Sequence, residues 1–164
     1  MVRTKAGDYD ILHLVAHIDH DSQNPERSRI VLGQGGGDDG PLELDQVLGL
    51  DLRKTSLVVL SGCQSQKGKR TRGDDVIGLT RAFIYAGSPS VVASLWSVDD
   101  DATRQLMVAF YTHLKSGMSK ADALRIAQSD LRKKYPNPYY WAGFVLTGDP
   151  GESVVCSLLA TSAK

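Results

Sequence analysis

Four short apolar runs, at residues 11–16 (ILHLVA), 56–61 (SLVVLS), 90–95 and 144–147, constrain this chain more than any other feature. Each is bounded by polar residues and too short for a helix, as strands buried in a mostly parallel sheet are. Between the later runs lie stripes with helical spacing. Val76, Leu79, Thr80, Phe83 and Ala86 form one, stopped by Gly87 and Pro89. Ala102, Leu106, Ala109, Phe110 and Leu114 form a second, entered through Asp99, Asp100 and Asp101 and left at Gly117. Ser119 and Asp122 make a capping box for a third, with Leu124, Ala127, Leu131 and Tyr135 on one face. It ends before Pro136 and Pro138. Strands alternating with helices predict a doubly wound α/β sheet.

The remaining segments are less patterned. Residues 19–40 are polar and rich in Gly and Asp, and read as a loop or small hairpin with a short strand at 29–32. Residues 64–75 read as a second loop, where Lys67, Lys69, Arg70 and Arg72 sit among glycines. That basic cluster reads as a solvated loop, with a processing loop as the alternative. At 164 residues the chain is expected to be one domain, with 152–164 an unassigned tail.

Charge and composition exclude several classes. Nineteen basic and nineteen acidic residues give a net charge of +0, with no footprint for nucleic acid or an anionic membrane. No apolar stretch approaches the ~20 residues that span a bilayer. Residues 1–10 are polar and carry no signal-peptide core. The two cysteines, Cys63 and Cys156, are far apart and in no metal-binding spacing, which fits free thiols in a reducing, cytoplasmic setting.

In an open parallel sheet, functional groups gather beyond the carboxyl ends of the strands. His17 follows the first run and Cys63 the second. Neighbouring parallel strands would bring imidazole and thiol together, so that the histidine takes the thiol proton and leaves a thiolate nucleophile. The backbone amides of Ile18 and Cys63 are the expected oxyanion donors. The bland alternative is a buried Cys acting as a small hydrophobe and a strand-end His with a structural role. His13, inside its strand, reads as structural, and His20 and His113 as surface residues.

These segments carry a resemblance. Leu12-His13-Leu14-Val15-Ala16-His17 resembles the "lHlatH" motif of CHAT domains, relatives of caspases and separase. Leu60-Ser61-Gly62-Cys63-Gln64-Ser65 resembles "LSaCet", residues 91–100 resemble "vvasLWpvdD", and residues 138–148 resemble "PyyWaaFvltG". The resemblance implies a caspase-like three-layer sandwich, with His17 as general base and Cys63 as nucleophile. The implied reaction is peptide-bond hydrolysis through an acyl-enzyme, without metal or organic cofactor. By the same resemblance Trp96 borders the S1 pocket, and Asp100, with Asp99, reads an Arg or Lys side chain there. Asp101 is expected to cap the helix that follows, with Asp99 able to share either task.

Two departures accompany it. The family usually has Gly after the catalytic histidine, where this chain has Ile18; a position needing φ > 0 would strain a β-branched residue. The family also has at least two strands before the histidine strand, whereas this chain begins almost at that strand. The expected consequence is a homodimer, or a companion chain supplying the missing strands, besides a protein or peptide substrate. The competing class is a catalytically impaired caspase-like fold kept as an interaction module.

Overall fold

The computed structural model describes residues 2–19, 28–33, 40–62 and 74–151. Cys63, the 64–73 loop, His20, Cys156 and the 152–164 tail lie outside the described residues. Two units, residues 1–97 and 98–164, are described in turn.

In the first unit a helical turn, α1 (Val2–Lys5), precedes β1 (Ile11–Val15). Then come β2 (His17–Asp19), β3 (Arg29–Val31), β4 (Leu42–Glu43) and α2 (Leu44–Leu48). β5 (Leu57–Ser61), α3 (Asp74–Tyr85) and β6 (Ser90–Ser94) complete it. β5 is the central strand, parallel to β1 on one side (Ile11↔Leu57 to Val15↔Ser61) and to β6 on the other (Val58↔Val91 to Leu60↔Ala93). The result is a mixed α/β architecture with a mostly parallel central sheet flanked by helices, consistent with a caspase-like sandwich.

The period-2 alternation of strands explains the core. Leu12 and Leu14, Val58 and Leu60, Val91 and Ala93 all project to one face, where they pack with Val47 of α2 and Leu79, Ala82 and Phe83 of α3. Burying each large apolar side chain contributes about 1.5–3 kcal/mol. All five residues of β5 are buried, as are those of β6, so both strands read as unbroken apolar runs. α3 ends where the sequence predicts. Gly87 follows it with φ 113°, and a β-carbon there would meet the Arg53 backbone nitrogen at 3.0 Å.

The short strand expected at 29–32 is β3 (Arg29–Val31). β2, β3 and β4 form a small antiparallel sheet whose inward residues, Ile18, Ile30 and Leu42, join the same core. α2 follows at once, opened by a capping box between Glu43 and Gln46.

The second unit holds α4 (Asp100–Lys115), α5 (Lys120–Lys134) and β7 (Phe144–Gly148). The two helices pack on the predicted stripes, burying Ala102, Leu106, Phe110 and Leu114 of α4 and Leu124, Ala127 and Leu131 of α5. Gly117 turns the chain between them with φ 94°. The Ser119 side chain accepts from the Asp122 backbone N–H at 3.1 Å and caps α5. Among the described residues no helix is long and apolar enough to cross a membrane.

Candidate functional site

β1, β5 and β6 run parallel, so their carboxyl ends share one edge of the sheet, and the sequence-predicted residues of the first unit follow those ends. Past Val15 the ladder continues for one more bond, Ala16 N–H to the Ser61 carbonyl at 3.3 Å. The chain then leaves the parallel sheet. His17 is not in a loop; it is the first residue of β2, half-buried and paired with Val31 of β3. The histidine therefore sits where the chain passes from one sheet to the other.

Ile18 is the middle residue of β2, opposite Ile30, and 5% exposed. Its backbone is extended, a conformation that suits a β-branched residue. The left-handed geometry that would have strained it does not arise. β2 is pinned further by the cross-strand pair Asp19↔Arg29, whose guanidinium donates to Asp19 Oδ2 at 2.8 and 3.1 Å. The pair is half-exposed and worth little as energy, but it fixes register.

Gly62 is the last described residue before Cys63, and it is held on both sides. A β-carbon on it would lie 2.8 Å from the Ala16 carbonyl oxygen and 3.0 Å from Cγ1 and Cδ1 of Ile18. Only glycine lets the backbone approach this closely. On the other side, the hydroxyl of Ser94, at the end of β6, donates to the Gly62 carbonyl at 3.3 Å. Ser94 is 4% exposed, so this bond is shielded from water. Neither residue was singled out from the sequence. The signal available was a glycine closing an otherwise apolar strand, which marks close backbone approach. Trp96, half-buried, lies two residues past the end of β6.

His13 projects from the opposite face of β1 to Leu12 and Leu14, and burial lowers its pKa from the ordinary 6.5. Among the described residues, no three His, Cys, Asp or Glu side chains stand together as a metal site.

In the second unit the acidic run divides its tasks differently from the expectation. Asp99, not Asp101, caps α4: its carboxylate accepts from the Ala102 N–H at 2.9 Å. The cap is the residue just outside the first helical turn, with its side chain reaching the third helical N–H, and that geometry selects Asp99. Asp101 pairs with Arg104 at 2.8 Å and accepts from Gln105 at 2.6 Å, and the Arg104 hydrogen bond lowers its pKa. Asp100 is the exposed first residue of α4.

Comparison with known proteins adds the family. The model of the CHAT domain matches residues 2–149. Tetratricopeptide repeat protein 28 of Mus musculus is 40% identical over 104 residues, 60% of this chain. The protein of the same name from Homo sapiens is 36% identical over 103 residues. The matched stretch is about 4% of the length of either relative.

Proposed function

The chain belongs to the CHAT domain family, and on that premise we propose that it is a cysteine-type endopeptidase using a Cys63–His17 dyad and cleaving after Arg or Lys. One observation carries the reading. Val15 and Ser61 are paired across β1 and β5, and His17 and Cys63 each lie two residues further on. The ladder itself ends at Ala16, so what links the segments beyond it is the contact of Gly62, the residue before Cys63, with Ala16 and Ile18, the residues that flank His17.

The chemistry follows from those roles. His17 takes the proton of the Cys63 thiol, and the sulfur attacks the scissile carbonyl carbon. The carbonyl π pair moves to oxygen, and the resulting oxyanion is met by the backbone N–H groups of Cys63 and Ile18. Collapse breaks the C–N bond, with His17 returning its proton to the departing amine and leaving a thioester. Water, deprotonated by His17, then attacks the thioester; the acid product leaves and the thiol is restored. By the resemblance Trp96 would wall the S1 pocket and Asp100 would read the basic side chain; Asp99 is held in the cap of α4.

The alternative is an interaction module that keeps the fold without the chemistry. It is favoured by the setting of the matched stretch, a small part of a protein named for its repeats. Labelling decides between them. A peptidyl electrophile should modify Cys63 and spare Cys156, and His17→Ala should abolish the difference. Equal labelling of the two thiols in the folded parent would favour the interaction module.

A further inference from the structure

We propose that the tyrosines following α5 form a docking surface for a linear peptide segment that combines prolines with acidic residues. The surface lies wholly within the second unit and does not depend on the chemistry proposed for Cys63 and His17. Tyr135 closes α5, its N–H bonded to the Leu131 carbonyl at 2.8 Å. A 3-10 turn, Pro138–Tyr140, follows, capped by Asn137, whose side chain accepts from the Tyr139 N–H at 3.0 Å. This backbone brings the rings into contact. Tyr135 and Tyr140 have centroids 5.0 Å apart and planes at 30°, and Tyr139 meets Tyr140 at 5.4 Å and 84°. Two rings set nearly at right angles form the walls of a notch, and Tyr135 supports one of them. Tyr139 is 45% exposed there, an apolar area that a partner would remove from water. A pyrrolidine ring is compact and apolar, on a backbone whose φ is already fixed near −65°. It fills an aromatic notch at a small cost in chain entropy.

The charges beside the rings select the sign of the partner. Arg132 lies over Trp141, 5.6 Å from the ring centroid, and Lys134 lies over Tyr135 at 5.3 Å. Lys134 also donates to Gln105 Oε1 at 2.7 Å. All of these partners are neutral. The carboxylates nearby are engaged by other cations, Asp130 by Lys133 at 2.7 Å and Asp101 by Arg104 at 2.8 Å. Arg132 and Lys134 are both exposed, so their charge faces the space that a docked peptide would occupy. Acidic residues placed between prolines complement that pair. The rings are held by one another and by a turn with a proline at its start, so little ordering is needed when the peptide arrives.

Fluorescence anisotropy of a labelled peptide of repeated Pro-Pro-Glu triplets, titrated with the full chain at low salt, tests the surface. The parent should bind it. A peptide of Ala-Ala-Glu triplets, without the pyrrolidine rings, and one of Pro-Pro-Gln triplets, without the charge, should each bind about tenfold more weakly. Tyr139→Ala should lose about tenfold in affinity for the Pro-Pro-Glu peptide, while Tyr139→Phe, which keeps the ring, should bind as the parent does. Replacing both Arg132 and Lys134 by Gln should reduce binding to the level of the Pro-Pro-Gln peptide and remove its salt dependence. If Tyr139→Ala does not fold, as its melting curve would show, the comparison of the three peptides on the parent decides alone. No binding of the Pro-Pro-Glu peptide at about 1 mM chain overturns the proposal. Equal binding of the Ala-Ala-Glu peptide overturns it too, as does a folded Tyr139→Ala that binds as well as the parent. An oligothymidylate strand bound more tightly than the peptide would assign the rings to nucleobases and overturn it as well.

Discussion

The side chain of Ile18 stands against the bare α-carbon of Gly62, with Cγ1 and Cδ1 each 3.0 Å from where a β-carbon would be. The two positions are complementary. A bulky residue follows the histidine because a glycine precedes the cysteine, and the space of one is filled by the other. Ile18, a departure from the family pattern, is thereby a packing residue and carries no backbone strain.

This contact predicts that Gly62→Ala is destabilising, because the Ala16 carbonyl on the other side is backbone and cannot swing away. Overpacking of this kind costs about 1–3 kcal/mol. Ile18→Ala alone should cost about 2–5 kcal/mol through the cavity it leaves. In the double variant the new methyl enters that cavity, so the sum should fall short of additivity by at least about 0.5 kcal/mol. Urea unfolding of the four proteins measures the cycle. Strict additivity would mean that the two residues do not share the space.

Much of this arrangement could be read in advance, and the reasons for the rest are physical. α4 and α5 show full apolar stripes and polar first turns, and such local signals survive without tertiary context. β5 and β6 announce themselves because strands buried on both faces are continuous apolar runs. β3 was legible as a short strand, but β2 and β4 have three and two residues, too few for any period to register. Their pairing joins Asp19 to Arg29 and Arg29 to Glu43 across intervening sequence, which no local pattern encodes. His17 was legible as a strand-end residue, yet its membership of a second strand was not. The contacts of Gly62 with Ile18 and with Ser94 join three strands, and only the glycine at the strand end hinted at them.

The division of the acidic run gives a second expectation. Asp99→Ala removes the N-cap of α4 and should cost about 1 kcal/mol. Asp101→Ala loses only exposed contacts, with Arg104, Gln105 and Tyr135, and should leave the unfolding midpoint nearly unchanged. Thermal or urea unfolding of the two variants side by side tests the assignment, and the reverse order would return the cap to Asp101.

A third expectation concerns pH. His13 has a pKa lowered from 6.5 by burial, so the unfolded chain binds its proton more readily than the folded one. Stability then rises with pH across the interval between the two values. His13 should therefore cost nothing above pH 6.5 and progressively destabilise the fold as pH falls below it, until its folded pKa is passed. His13→Gln should flatten this part of the profile relative to the parent. An identical slope in both proteins would show that other groups carry it.

The edge of the sheet gives a fourth. Among the described residues β1 pairs with β5 on one side and with no strand on the other, and Val15 is 74% exposed. An apolar edge of this kind invites pairing with another strand. A second copy of the chain is the expected occupant. Sedimentation should find a dimer that Val15→Lys weakens. A parent that stays monomeric at high concentration would contradict it.

The last expectation is that Asp100 selects the residue before the scissile bond. Asp99 caps α4, and Asp101 holds Arg104 and Gln105. Asp100 is the first residue of α4, where its carboxylate is exposed and gains from the helix dipole. An ionised carboxylate recognises a guanidinium through paired hydrogen bonds, stronger and more directional than contact with a neutral side chain. Asp100→Ala should therefore reduce cleavage after Arg by about tenfold, as loss of one charge-assisted hydrogen bond does. Cleavage after Lys should fall as well, because a point charge still needs its counter-ion. Alkylation of Cys63 by iodoacetamide should not change, since that reaction uses no S1 side chain. Asp99→Ala serves as the control: it loosens the first turn of α4 and should lower the melting temperature more than it changes the Arg preference. A substrate library cut equally well by Asp100→Ala and parent, or a parent that prefers Asp or an apolar residue at that position, would remove Asp100 from the specificity pocket.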